Sequence, residues 1–410
     1  MNYFKAKIRF SLTILILLIG ISESFGQIDD EIIKSKGKVY RHFESFHEVN
    51  VIPPVKSDRA QVHNIILMIG DGMGASQVYA GLVANKGHLY LTQFPVTGLS
   101  KTYSADNLIT DSAAGATAMA TGKKTKDGYV GIDAHRKPVE TILEYANKNG
   151  LSTGMVVTSS ITHATPACFI AHALSRDFND EIATYFLKTD IDFFVGGGRD
   201  FFYPRPDGIN LLQQLRNKNY QIITTPEGID SINSAKVAGL IWEEHGPSIL
   251  KGRGDMLENS TEKAIECLSR NEKGFFLMVE GSQIDWGGHQ NDTRYLVEEM
   301  LDFDKAIGKV LEFASKDGHT LVIVTADHET GGFAVTGGNI RRGAVIGEFL
   351  TDSHTGVWVP VYAYGPGAEI FTGMYENTDI YMKMKEMMDK GLNINTESGK
   401  HRRGSGNGNR

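Results

Sequence analysis

Six apolar runs, each ending at glycine or a polar turn, set the tightest limit on how this chain folds: NIILMIGDGMG (64–74), STGMVVTSSITHATP (152–166), DFFVGGG (192–198), GFFLMVEGSQID (274–285), HTLVIVTADHE (319–329) and VPVYAYGPG (359–367). Their hydrophobicity is continuous rather than alternating, so both faces of each strand must be buried. That is the signature of a parallel sheet covered by helices. Helical patterns fall between the runs at 138–149, 262–270, 295–316 and 379–390. The predicted fold class is α/β: a central, mostly parallel sheet flanked by helices on both faces, in three layers. No internal repeat interrupts it.

Four of the runs lead straight into residues that bind metals or protons. Asp71 follows IILMIG, His163 and Thr165 follow MVVTSSIT, Glu280 and Asp285 follow FFLMV, and Asp327 and His328 follow LVIVTA. Ligands of open α/β sheets sit at the carboxyl ends of the strands. Residues distant in sequence therefore converge on one cleft, as a multi-metal site requires.

The segment ITDSAAGATAMATG (109–122) places Asp111 and Ser112 before a run of small residues. Locally it reads as a helix capped by Asp111 or Ser112. A helix amino end also stabilises an anion or an alkoxide, so Ser112 is equally placed to be a nucleophile if a base or a metal removes its proton. The segment EGSQIDWGGH adds Asp285, Trp286 and His289; Gly287 and Gly288 leave helix and loop equally open there. TADHETGG offers Asp327 and His328, and SHTG offers His354. His88, His172, His245 and His319 read as structural.

Taken together, MIGDGMG, TDSAAGA, EGSQIDWGGH, TADHETGG and SHTG…AYGPGAE resemble the alkaline phosphatase family in order, spacing and residue type. The resemblance implies two zinc ions and one magnesium ion. Asp71, Asp327 and His328 would hold one zinc beside Ser112, itself counted among the metal contacts. Asp285, His289 and His354 would hold the second zinc, and Asp71 would bridge to magnesium with Thr165 and Glu280. Arg176, in AHALSRD, matches the family's phosphate clamp, with Asp111 steadying it. His163 and Trp286 stand at two positions near the phosphate that vary in the family. The implied reaction is hydrolysis of phosphate monoesters of broad specificity, in two displacements through a phosphoserine on Ser112. Only about twenty residues separate Gly332 from Ser353, so the cap insertion is short, the site is expected to be open, and the family's usual dimer contacts stay in question. A homodimer remains compatible with the resemblance. The donor chemistry agrees with it: imidazole with carboxylate suits zinc, and hydroxyl with carboxylates suits magnesium.

The expected domain plan is a secretory signal at 1–26, one catalytic domain at 27–392 and a disordered polar tail at 393–410. The signal reading rests on Lys5, Lys7 and Arg9 before an apolar stretch from Phe10 to Ile21, too short to span a bilayer. Export to the periplasm or the medium follows, with no membrane partner. The whole chain carries a net charge of −7, which argues against nucleic acid as a specific ligand. Cys168 and Cys267 leave one disulfide or two buried thiols open. Two rival functions remain: a phosphodiesterase of the same superfamily, and an exported phosphate- or metal-binding protein without catalysis. A sulfatase is disfavoured because its Cys-x-Pro-x-Arg signature is absent.

Overall fold

Continuous apolar strands need cover on both sides, and alternate residues of the first long strand show how the chain supplies it. Ile65, Leu67 and Ile69 pack into one core with Met119, Leu143, Phe169 and Met384. Ile66 and Met68 pack into a second core with Val78, Leu257, Leu296 and Ile307. The computed structural model describes residues 39–41, 47–55 and 61–393. Its strands are β1 (Val39–Arg41), β2 (Asn64–Gly70), β3 (Val96–Lys101), β4 (Ser152–Ser160), β5 (Phe193–Gly197), β6 (Gln221–Ile223), β7 (Val237–Leu240), β8 (Phe275–Gly281), β9 (Thr320–Thr325), β10 (Glu329–Thr330), β11 (Ala334–Asn339), β12 (Ala344–Glu348), β13 (His354–Thr355), β14 (Val359–Tyr364) and β15 (Gly373–Glu376). The helices are α1 (Ala75–Ala84), α2 (Ser112–Thr121), α3 (Ile142–Lys148), α4 (Ala164–Ile170), α5 (Asn179–Lys188), α6 (Leu211–Asn217), α7 (Met256–Leu268), α8 (Ile284–His289), α9 (Thr293–Asp317) and α10 (Asn377–Gly391).

Ten strands form the main sheet in the order β15-β3-β14-β9-β2-β8-β4-β5-β7-β6. The first core holds residues of α2, α3, α4 and α10; the second holds residues of α1, α7 and α9. The three layers are those expected. One strand corrects the simplest expectation: β14 runs antiparallel to both β9 and β3, because burial on both faces carries no information about direction. This reversal matters for the site. An antiparallel strand begins where its parallel neighbours end, so the residues just before β14 arrive at the carboxyl edge of the sheet.

The helical expectations hold with shifted ends. The pattern at 138–149 becomes α3 only at Ile142, because Thr141 and Glu144 form a reciprocal capping box that fixes the start. Asp292 caps α9 by accepting from the backbone of Arg294 and Tyr295. The short insertion between Gly332 and Ser353 is the β11–β12 hairpin, to which β1 adds a third strand. Residues 39–41 pair as this edge strand, and Ile52 N donates to Gln93 Oε1 at 2.8 Å. The proposed signal at 1–26 and the tail beyond Asn393 lie outside the described residues. Cys168 and Cys267 are separate, buried thiols.

Candidate metal centre and nucleophile

Asp71, Glu280 and Asp327 stand at the carboxyl ends of β2, β8 and β9, and β2 lies between the other two. Pairing of Ile69 with both Glu280 and Thr325 brings the three carboxylates side by side. All three are buried. Asp327 Oδ1 accepts from Gly72 N at 3.2 Å and His328 N at 2.9 Å, which leaves Oδ2 free. His328 Nε2 stands 3.2 Å from Asp327 Oδ2, 3.5 Å from Asp71 Oδ1 and 3.2 Å from Ser112 Oγ. Yet both oxygens of Asp71, Oδ2 of Asp327, Oε1 of Glu280 and Oγ1 of Thr165 are buried without hydrogen-bond partners. Orphaned buried oxygens converging in this way are costly unless a cation completes them.

Burial and the charges of Asp327, Asp285 and Glu280 hold Asp71 well above the usual carboxylate range. Burial and Asp285 push Asp327 up to about 7. Burial, opposed by a hydrogen bond from Ser282 and aided by the charge of Asp327, pushes Glu280 up to about 8. These carboxylates therefore resist shared ionisation and fit divalent cations. Three groups of donor atoms, each within 4.8 Å of one another, are Asp71–Asp327–His328, Asp285–His289–His354 and Asp71–His163–Glu280.

The histidine tautomers fit the same purpose. His354 Nδ1 bonds Thr110 O at 2.8 Å and His289 Nδ1 bonds Asp352 O at 2.6 Å. A carbonyl only accepts, so each ring carries a proton on Nδ1 and turns its Nε2 inward, that of His289 to 3.3 Å from Asp285 Oδ2. Thr330 Oγ1 donates to Asp285 Oδ1, which obliges it to accept from His328 Nδ1 at 3.2 Å. His328 Nε2 is thereby bare as well. His163 differs. Its Nε2 lies 3.3 Å from Arg176 Nη2, which only donates, so the proton stays on Nδ1. His163 stands in the third group beside Asp71 and Glu280, where Thr165 adds a further oxygen donor. Burial and the charges of Arg176 and His245 push His163 down to about 3.

Ser112 is the first residue of α2, and Asp111 is its N-cap, accepting from Ala114 N at 2.9 Å. The small residues after it have a visible purpose. A Cβ on Gly115 would lie 3.1 Å from Asp327 Cβ and 3.2 Å from Asp327 O, so only glycine lets the helix approach the ligand strand this closely. Asp111 Oδ2 also accepts from Gly128 N at 3.0 Å and from Arg176 Nη1 at 3.1 Å, which ties the guanidinium to the cap of the helix that begins at Ser112. Asp285 and His289 lie on α8, so the helical alternative holds there despite the glycine pair.

Every residue expected from the sequence stands in this cleft, and three neighbours were missed. His245, read as structural, packs edge-on to Trp286 at 4.9 Å and to His163 at 5.6 Å. Ser282 donates to Glu280 Oε2 at 2.6 Å. Thr330 ties Asp285 to His328. Ser282 and Thr330 lay within quoted motifs, but hydroxyls beside ligands carry no signal of their own; His245 had none at all.

A serine at a helix amino end, two adjoining cages of imidazole and carboxylate, and a third of hard oxygens, all at the carboxyl edge of a three-layer sheet, define a multi-metal hydrolase. The model of the alkaline phosphatase family matches residues 62–348. Alkaline phosphatase 4 of Bacillus subtilis is 37% identical over 409 residues, covering 79% of this chain and 88% of that protein. The alkaline phosphatase of Escherichia coli is 34% identical over 400 residues, covering 78% and 85%. The solved alkaline phosphatase of the Antarctic bacterium TAB5 is 44% identical with a TM-score of 0.77, covering 80% of this chain and 99% of that one. The chain belongs to the alkaline phosphatase family. It is a zinc- and magnesium-dependent enzyme that hydrolyses phosphate monoesters.

Removing the metals should make stability depend on pH in a defined sense. The raised carboxylates, Glu280 at about 8 and Asp327 at about 7, hold protons that the unfolded chain releases near pH 4, so their contribution is lost as pH rises through those values. His289, raised to about 9 chiefly by its hydrogen bond to Asp285, adds a loss in the same direction. The lowered His163 and His328 act only below about 6.5. Between pH 6.5 and 9 the thermal midpoint of chelated protein should therefore fall, and added zinc and magnesium should remove most of that fall, the rest coming from Glu299, raised to about 7, and from the raised His172. A midpoint of the chelated protein that stays level across the window would mean the carboxylates are not buried together.

Proposed function

We propose that Ser112 is the nucleophile and that the monoester is cleaved in two displacements through a phosphoserine, with Asp71, Asp327 and His328 holding one zinc, Asp285, His289 and His354 the other, and Asp71, Thr165 and Glu280 magnesium. The observation that carries this reading is the position of Ser112 Oγ, 3.2 Å from His328 Nε2 at the amino end of α2. When bound, the cations lower the pKa of the serine hydroxyl and compensate the charge on the entering and leaving oxygens. Ser112 Oγ forms a bond to phosphorus while the bond to the ester oxygen breaks and the alcohol departs. Water then cleaves the phosphoserine and releases inorganic phosphate. Arg176, held by Asp111, forks onto two non-bridging oxygens, a contact that favours a terminal phosphate over a diester. Trp286 and His163 line the phosphate side. The chain offers few groups to read the alcohol, which supports broad specificity.

The same reading extends to assembly and location. Leu108 and Ile109 lie against Gly356, and with Val357 and Trp358 they form an exposed apolar rim beside the cleft; Leu108 is 77% and Trp358 50% exposed. We infer that a second copy covers it, giving a homodimer. The basic and apolar leader supports export, and among the described residues no helix is long and apolar enough to cross a membrane.

Ser112→Ala should keep its metals but lose activity toward p-nitrophenyl phosphate by roughly a hundredfold or more. Acid-quenched wild-type enzyme should carry a phosphoryl group by intact mass, and the variant should carry none; near-normal turnover in the variant would remove Ser112 from the mechanism. Arg176→Ala should retain metal content while inhibition by inorganic phosphate weakens at least tenfold, since charge-assisted bonds contribute about 1.5 to 3 kcal/mol each. An unchanged inhibition constant would exclude the clamp. For the dimer, light scattering should report twice the chain mass, and Trp358→Asp should shift it toward the monomer. A monomeric wild-type protein at micromolar concentration would rule the interface out.

A further inference from the structure

Glu329 follows the ligand His328 directly, yet its own side chain turns away from the cages and is buried, 4% exposed. Four donors converge on it: Gln77 Nε2 at 2.7 Å, Phe333 N at 2.9 Å, Gly332 N at 3.2 Å and the hydroxyl of Thr355. The four donors come from three parts of the cleft wall. Gln77 is on α1 and also donates to Thr330 O at 3.0 Å. Gly332 and Phe333 form the turn after β10. Thr355 is on β13, next to the ligand His354. Gly74, in the turn that carries Asp71, lies so close that a Cβ there would stand 2.5 Å from Glu329 Cγ.

Thr110 O holds the His354 ring and Gly331 N bonds Ser353 O at 2.9 Å, but the strand that delivers His354 has a short ladder of its own. β13 is two residues long and pairs only with β10, Glu329 opposite Thr355 and Thr330 opposite His354. Two residues of ladder cannot fix a register against thermal motion, whereas a buried carboxylate held by several donors can. From this geometry we propose that Glu329 is a positioning residue: through Thr355 it pins β13 to β10 and so sets the distance of His354 from Asp285 and His289. The proposal rests on the reading that those three residues hold a zinc ion.

The mechanism is specific about which ion suffers. Thr355 directly follows His354 of the Asp285–His289–His354 cage, so loss of its hydroxyl should loosen that zinc more than the other. Partners that orient metal ligands typically alter affinity by roughly ten- to a hundredfold. Valine has the shape of threonine and suits a strand, so Thr355→Val deletes the hydrogen bond with little else.

The test is chelator competition on the holoenzyme, following release of each zinc equivalent, together with the thermal midpoint of the chelated protein. Wild type should release two equivalents at high chelator concentration. Thr355→Val and Glu329→Gln should release one of them at a concentration at least tenfold lower, Thr355→Ser should behave as wild type, and the chelated midpoint of Thr355→Val should match wild type. Release at the wild-type concentration from both variants would overturn the proposal. So would equal weakening of both equivalents accompanied by a lower chelated midpoint, which would make Glu329 a general structural contact. A wild-type protein that binds no zinc would instead overturn the cage assignment on which the proposal rests.

Discussion

The repulsion among Asp71, Glu280 and Asp327 is the constraint from which the rest of the cleft follows. Strands of a sheet lie about 4.8 Å apart, so acidic residues at the ends of three adjacent strands cannot avoid one another. Burying them together opposes folding unless cations are bound. The chain accepts this cost where it is useful. Backbone amides of Gly72 and His328 occupy one oxygen of Asp327, and Ser282 occupies one of Glu280, so these two carboxylates are fixed in direction while the other oxygen of each stays free. The sheet supplies the spacing and the local hydrogen bonds supply the aim.

Asp111 extends the same economy to the phosphate. A single carboxylate caps the helix that presents Ser112, accepts from Gly128 N and holds Arg176. Ser112 and Arg176 are therefore referred to one rigid group, and their separation does not depend on the rotamer freedom of a long arginine side chain. Such coupling is what preorganisation for an in-line displacement requires. It also explains why an aspartate serves here better than the serine beside it: only a carboxylate has enough acceptor sites to do all three.

How much of this was legible in the sequence depended on whether a residue's role is local. Asp71, Glu280, Asp327 and His328 end or closely follow buried strands, so a parallel sheet alone brings them together, and Asp285 follows four residues after β8 on α8. Asp111 and Ser112 were readable as a helix start. His354 was not readable from periodicity, since it reaches the cleft only because β14 runs backward; the resemblance to the family, not the pattern, pointed to it. His245 comes from the segment after β7 and meets Trp286 only through tertiary packing, which neither spacing nor residue type announces. Glu329 sat in a quoted motif, but its contacts span Gln77 to Thr355, and no local rule links such distant positions.

The outer contacts of the histidines impose a further asymmetry between sequence and chain length. The Nδ1 atoms of His354 and His289 are held by the main-chain carbonyls of Thr110 and Asp352. A carbonyl is present whatever residue occupies the position, so substitution at 110 or 352 leaves the proton on Nδ1 and the inward lone pair on Nε2. Adding or removing one residue in either loop moves the carbonyl itself and frees the ring to rotate. The loops that close this cleft are thus permissive in identity and strict in length, the reverse of the buried strands, where identity is held by packing on both faces.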